Sequence, residues 1–212
     1  MLDILVTLHG RVTKHIHECL LLKGRVFDYE HLRWETGYFL ERFVSGLRQV
    51  SMSDRAALEE ELHCLAAVVD AYPKGVIHRD FQCQNIMITP GVFPRLIDFQ
   101  GARMAPRAYD LASILWDPYF RLDNDMRDRL IDHYVSEMKQ YSEGFPEVEF
   151  RKSLIPCRLQ RHMQALGAYG FLSLVKGKKY FLKHIPEALR LLKEETAAKK
   201  EYPELYKLVQ SL

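Results

Sequence analysis

The spacing of apolar positions changes period twice along the chain. Over residues 28–47, Leu32, Tyr38, Phe39, Phe43 and Leu47 recur near helical spacing, which predicts a helix with Gly37 as its weak point. Leu58, Leu62, Leu65 and Val69 then form one apolar stripe over Glu59, Glu60 and Glu61. Ser53 is the predicted N-cap of that helix, with Asp54 in its first turn, and Pro73-Lys74-Gly75 ends it. The first 72 residues read as helical throughout. The middle of the chain shortens its period. Residues 75–78, 85–89 and 93–99 are strand-like runs, with Pro90-Gly91 as a turn between the last two. Pro106 is placed at a helix N1 position, and helical patterning resumes over 107–116, 124–141, 146–175, 186–199 and 203–210. Pro156, Gly167 and Gly170 predict a break or bend in the longest of these. The expected class is α+β and mainly α-helical, with a small β hairpin region. Strands and helices do not alternate, which argues against a doubly wound sheet.

Composition narrows the class. The 212 residues suffice for one large or two small domains, and 48% hydrophobic content can build a core without disulfide or metal staples. Lys plus Arg number 30 against 28 Asp plus Glu, a net +2, which excludes a protein built to coat nucleic acid. Cys19, Cys64, Cys83 and Cys157 form no C-x-x-C pair, so reduced thiols in a cytoplasmic protein are expected. Asp3 stands where a signal peptide carries a base, and the apolar run over 165–175 is about half of what spans a bilayer. No membrane association is expected.

The candidate chemistry lies in the strand-like region. His78-Arg79-Asp80-Phe81-Gln82-Cys83-Gln84-Asn85 fits H-R-D-x-x-x-x-N, and Leu96-Ile97-Asp98-Phe99-Gln100-Gly101 follows at the end of a strand. Phosphoryl transfer needs a hydroxyl held in line and charge neutralised on the phosphates. Asp80 on a loop can take the hydroxyl proton. The amide oxygen of Asn85 and the carboxylate of Asp98 are hard ligands suited to Mg²⁺. Four spacer residues let the loop deliver Asn85 to the next strand, and the hairpin through Pro90-Gly91 returns Asp98 beside it.

These motifs, with Tyr109-Asp110-Leu111, resemble the aminoglycoside phosphotransferase and choline kinase-like superfamily. His78 to Gln82, Ile97 to Gln100, Asp117-Pro118-Tyr119 and the run from Met163 to Phe171 are similar to bacterial cell-wall amino-sugar kinases, which phosphorylate N-acetylmuramate and N-acetylglucosamine. The resemblance implies a protein-kinase-like C-terminal lobe over residues 1–212. It implies an ATP-dependent, Mg²⁺-dependent phosphotransferase acting on a small sugar in peptidoglycan recycling. Asp80 would be the base, Asn85 and Asp98 would hold Mg²⁺ and the nucleotide phosphates, and His78, Arg79 and Asp110 would hold the loop. Gln82, Trp34, Glu35 and Asp117 are the candidate substrate contacts. Cys83-Gln84 departs from the Ser-Arg pair frequent there, and Gln100 stands at the D-F-G glycine. Aminoglycosides and small alcohols such as choline or homoserine are rival acceptors.

No G-x-G-x-x-G precedes His78, and no strand lysine of the V-A-I-K kind is present. The nucleotide-binding N-lobe is therefore expected outside this sequence. Three readings stay open: a C-lobe whose N-lobe was cut away or lies on a separate chain, a remnant without activity, or an interaction module. Weaker signals have plain readings. His15 and Cys19 share a helix face without a completing cluster, so no metal site is expected there. Cys83 is expected to pack, the 29–43 aromatics to form core, Lys176 to Lys179 to form a solvated turn, and residues 193–200 an exposed helix surface.

Overall fold

The computed structural model describes residues 1–91 and 93–212. Its helices are α1 (Leu2–Val6), α2 (Tyr29–Tyr38), α3 (Arg55–Ala71), α4 (Ala108–Leu115), α5 (Asn124–Tyr141), α6 (Glu147–Leu174), α7 (Ile185–Ala198) and α8 (Pro203–Ser211). The strands are β1 (Lys74–Ile77), β2 (Ile86–Thr89), β3 (Phe93–Leu96) and β4 (Arg103–Pro106). The mainly helical α+β class read from the sequence is the class the chain adopts. Two compact units divide it: Met1–Phe27 with Tyr72–Leu154, and Asp28–Ala71 with Ile155–Leu212.

The first unit carries both sheets. β1 pairs antiparallel with β4 from Lys74↔Pro106 to Ile77↔Arg103. Chain around Val26 adds to the other side of β4, with Phe27 N–H donating to Met104 O and Met104 N–H to Arg25 O, each at 2.8 Å. β4 was not among the predicted strands. Pro106 ends it instead of opening a helix, because the ladder to β1 outweighs a proline's preference for helix N1. β2 pairs antiparallel with β3, with Ile86 facing Leu96. Around the sheets, α1 packs on α5, whose buried Ile131, Tyr134, Val135 and Met138 recur at helical spacing. Past Val6 the chain continues as a π-type helix over Thr7–Val12.

The second unit is helical among its described elements. α2 starts at the Asp28 cap, which accepts His31 N–H at 3.2 Å, and continues as a π-type helix over Phe39–Arg48. α3 is capped by Asp54 rather than Ser53, with Ala57 N–H donating to Asp54 Oδ1 at 3.0 Å. α6 begins in the first unit, ends in the second, and runs unbroken through Pro156, contrary to expectation. Pro156 removes one helical hydrogen bond, yet burial of Cys157, Leu159, Met163 and Leu166 holds the helix. Gly167 and Gly170 are there for close packing, not as breakers. A Cβ on Gly167 would lie 2.8 Å from Tyr38 Cδ1, and one on Gly170 2.3 Å from Arg42 O.

The stretch over 193–200 also differs from its exposed reading. Glu195 is buried, accepting from Arg158 Nε and from His162 Nδ1 at 2.8 Å each. Sequence neighbours made it look solvated; two partners on α6, 37 and 33 residues away in sequence, offset the cost of burying its charge.

Candidate active site

The loop from His78 to Asn85 leaves β1 and enters β2. Gln82 N–H donates to Asp80 O at 3.0 Å and Asn85 N–H to Gln82 O at 2.9 Å, so the loop closes on itself in two tight turns. Asn85 Nδ2 reaches back to Asp80 O at 2.9 Å. Across the hairpin, Ile97 N–H donates to Asn85 O at 3.0 Å, which sets the Ile97-Asp98 peptide beside the end of the loop. The predicted strand over 93–99 stops at Leu96, because Asp98 turns into the left-handed region (φ 65°, ψ 34°) and a 3₁₀ turn follows at Phe99–Gly101. That turn comes back onto the loop: a Cβ on Gly101 would stand 3.7 Å from Asp80 Oδ2 and 3.5 Å from His78 O. Asp80, Asn85 and Asp98 thus share one small region, joined by backbone.

Arg79 also has a left-handed backbone, φ 77°. A non-glycine residue there stores roughly 1–3 kcal/mol of strain and persists only if its surroundings hold it. Asp110, in the first turn of α4 and fully buried, supplies the hold. Its Oδ2 accepts His78 N–H at 2.7 Å and its Oδ1 accepts Arg79 N–H at 2.8 Å. The Arg79 guanidinium lies over the buried Phe27 ring at 5.1 Å, and Phe27 meets Tyr109 edge-on at 5.5 Å.

A second carboxylate fixes the far side of the loop. Asp117 is 2% exposed, and its two oxygens accept Cys83 N–H at 2.7 Å and Tyr119 N–H at 2.9 Å. Burial and this carboxylate push the Cys83 thiol up to about 12, which keeps the half-buried thiol protonated. His78 is buried, edge-on to Phe81, and its Nε2–H donates to Ile97 O at 3.1 Å, tying the loop to the residue that precedes Asp98. Gln82 is half-buried on the loop.

The remaining sequence candidates, Trp34 and Glu35, belong to the second unit. Trp34 is 58% exposed and stacks on Tyr38 with ring centroids 4.9 Å apart. Glu35 is fully buried and accepts from Gln160 Nε2 at 3.3 Å. The basic turn at 176–179 keeps its predicted exposure, with Lys176 Nζ 5.7 Å over the Phe171 ring.

One polar group in this region escaped sequence reasoning. His9 is fully buried on the π-type segment, with Nε2 3.2 Å from Asp110 Oδ2 and Nδ1 2.7 Å from Tyr134 Oη. Burial pushes its imidazole below the ordinary value, against the pull of Asp110. Its partners lie 101 and 125 residues away, and no local motif marks it.

Residues 2–147 match the model of the phosphotransferase enzyme family that includes the aminoglycoside phosphotransferases. This chain belongs to that family. A curated N-acetylmuramate/N-acetylglucosamine kinase of Neisseria meningitidis serogroup B (strain ATCC BAA-335 / MC58) is 29% identical over 190 residues. The alignment covers 88% of this chain and 57% of the Neisseria protein, so the chain spans little more than half of that relative's length. Family membership gives the chain a kinase-like fold.

The donors present suit a magnesium ion. The Asn85 amide nitrogen is committed to Asp80 O, so its oxygen is the atom that could face a metal, and the exposed Asp98 could add a carboxylate. Two oxygen donors agree with the habit of Mg²⁺, which takes its other ligands from phosphates and water. Among the described residues, no three His, Cys, Asp or Glu side chains gather as a metal cage. No described helix of the chain is long and apolar enough to cross a membrane.

Proposed function

We propose that this chain carries the base and metal-binding part of an ATP-dependent kinase for a hydroxyl of a cell-wall amino sugar. The observation that carries the reading is the convergence of Asp80, Asn85 and Asp98 on one loop and hairpin, under the Asp110 clamp. The likeness to the Neisseria kinase supports the sugar class of the acceptor.

In this reading Asp80 accepts the proton of the sugar hydroxyl as its oxygen attacks the γ-phosphorus and the bond to the ADP oxygen breaks. Asn85 and Asp98 would hold Mg²⁺, whose charge neutralises the phosphates. His78 and Arg79 keep the backbone that leads into Asp80 in place. Gln82, on the same loop, is the proposed contact to the acceptor. Asp117 acts one step back, fixing the loop through Cys83 N–H.

The test is ADP release with N-acetylmuramate, N-acetylglucosamine and kanamycin, for the chain alone and joined to a nucleotide-binding lobe. The expected result is sugar-dependent turnover with the lobe supplied and a loss of at least ~10²-fold in Asp80→Asn. Wild-type turnover by Asp80→Asn would overturn the assignment of the base. Kanamycin consumption without sugar consumption would overturn the acceptor class.

A further inference from the structure

We propose that the second unit carries a binding strip for an acidic amino-sugar disaccharide, with the open face of Trp34 as its platform and the Lys176 amine as its anion contact. The choice of a sugar rests on the function proposed above, but the test reads binding and no turnover, so the two can fail separately.

The platform is built before any ligand arrives. Trp34 and Tyr38 stand four residues apart on α2, so their rings meet on one helix face. The rings are nearly parallel, 14° apart, with centroids at 4.9 Å. Tyr38 thus covers one face of the indole and fixes its plane, while Trp34 stays 58% exposed. Gly37, one turn along the helix, leaves the space beside the ring open: a Cβ there would meet no atom within 4 Å. The flat face of a pyranose presents C–H groups of slight positive charge, which match the negative face of an indole. Because the indole is already held, stacking a sugar on it immobilises little more.

The strip runs on past one sugar ring. Tyr38 meets the Phe171 ring at 6.1 Å, and Lys176 Nζ lies 5.7 Å over that ring. Arg42 also stands on Phe171, at 5.6 Å, but its charge is paired with Glu41 at 3.1 Å. The sequence from Phe171 to Pro186 holds four lysines and no acid. Among the described residues, none of those four is in an ion pair. Exposed cations without partners raise the local potential and draw an anion. A ligand matched to this strip is therefore an apolar ring face at one end and an acid at the other. One sugar on Trp34 leaves the lysine end unfilled, and a second sugar bearing a carboxylate reaches it. A long polyanion would need a broader basic face than a chain of net charge +2 provides.

NMR of the full chain labelled with ¹⁵N-tryptophan tests this, because the chain has two tryptophans and one serves as a control. Titration with the disaccharide of N-acetylglucosamine and N-acetylmuramate should shift the Trp34 indole N–H and leave that of Trp116, which is 6% exposed, in place. N-acetylglucosamine alone, with one ring and no carboxylate, should shift the same signal with an affinity at least ~5-fold weaker. In calorimetry, Trp34→Ala should weaken the disaccharide by at least ~5-fold. Lys176→Gln should weaken it about threefold and leave N-acetylglucosamine unchanged, and added salt should act in the same direction. No shift at Trp34, equal shifts at both tryptophans, equal affinity for the two sugars, or wild-type binding by Lys176→Gln would overturn the proposal. So would a single-stranded oligonucleotide that moves the Trp34 signal where the disaccharide does not. A lobe-joined chain that turns over N-acetylmuramate while its Trp34 signal ignores the disaccharide keeps the proposed function and loses the strip.

Discussion

Asp110 Oδ1 holds Arg79 N–H at 2.8 Å across 31 residues of sequence, and Arg79 is one of three non-glycine residues with positive φ among those described. The strained residue and its restraint meet beside the proposed base. Asp110→Asn leaves one oxygen where the buried donors of His9, His78 and Arg79 now meet two, and turns an NH₂ toward at least one of the three. We expect it to unfold about 2–3 kcal/mol more easily in urea, a loss much larger than a surface Asp→Asn change.

Asp98 is strained in the same way, φ 65°, but is exposed and holds no buried donor. Asp98→Gly relieves the left-handed backbone. Its urea midpoint should equal or exceed wild type, by up to ~0.5–1 kcal/mol, while metal-dependent nucleotide binding by the lobe-joined protein is lost. Reduced stability would show that the turn is not strained.

His9 gives stability a pH dependence near neutrality. Its pKa is lowered in the fold, so below the ordinary value of 6.5 the unfolded chain binds a proton the folded chain refuses. Stability is complete above about pH 7.5 and falls as pH drops through 6.5, by at most ~1.4 kcal/mol per pH unit. Glu18, Asp28 and Glu147 have lowered carboxyl pKa values and titrate below this window. Urea midpoints of wild type should slope between pH 6.5 and 5.5, and those of His9→Gln should be flatter there.

Two glycines separate close packing from local flexibility. At Gly170 a Cβ would meet Arg42 O at 2.3 Å, whereas at Gly37 nothing lies within 4 Å. Gly170→Ala should lose ~1–3 kcal/mol by forcing two backbones apart, and Gly37→Ala should gain ~0.5–1 kcal/mol of helix propensity. Chemical denaturation of both variants checks the contrast.

Thiol labelling tests the surroundings of the loop. Cys64 is exposed, Cys157 is buried with its thiol pushed up by desolvation, and Cys83 is raised to about 12. Iodoacetamide at pH 8, read by mass spectrometry, should alkylate Cys64 and spare Cys83 and Cys157. Asp117→Asn removes the repelling carboxylate and should speed labelling at Cys83.

Sequence by itself determined the helical body, the three short runs of the hairpin region and the cluster of Asp80, Asn85 and Asp98. These rest on local periodicity and on spacings of a few residues, where the chain can only turn in a limited number of ways. It also named Asp110, although only the fold showed which amides that carboxylate accepts. The tertiary structure alone decided what depends on distant partners. β4 exists because β1 pairs with it, α6 survives Pro156 because its face is buried, and Glu195 is buried because Arg158 and His162 meet it. His9 is the extreme case: an isolated histidine in an apolar opening stretch whose meaning comes from Asp110 and Tyr134, each more than a hundred residues on. Periodicity reports which face of an element is apolar. It does not report which buried polar groups will satisfy one another, since that pairing is fixed only when the elements have packed.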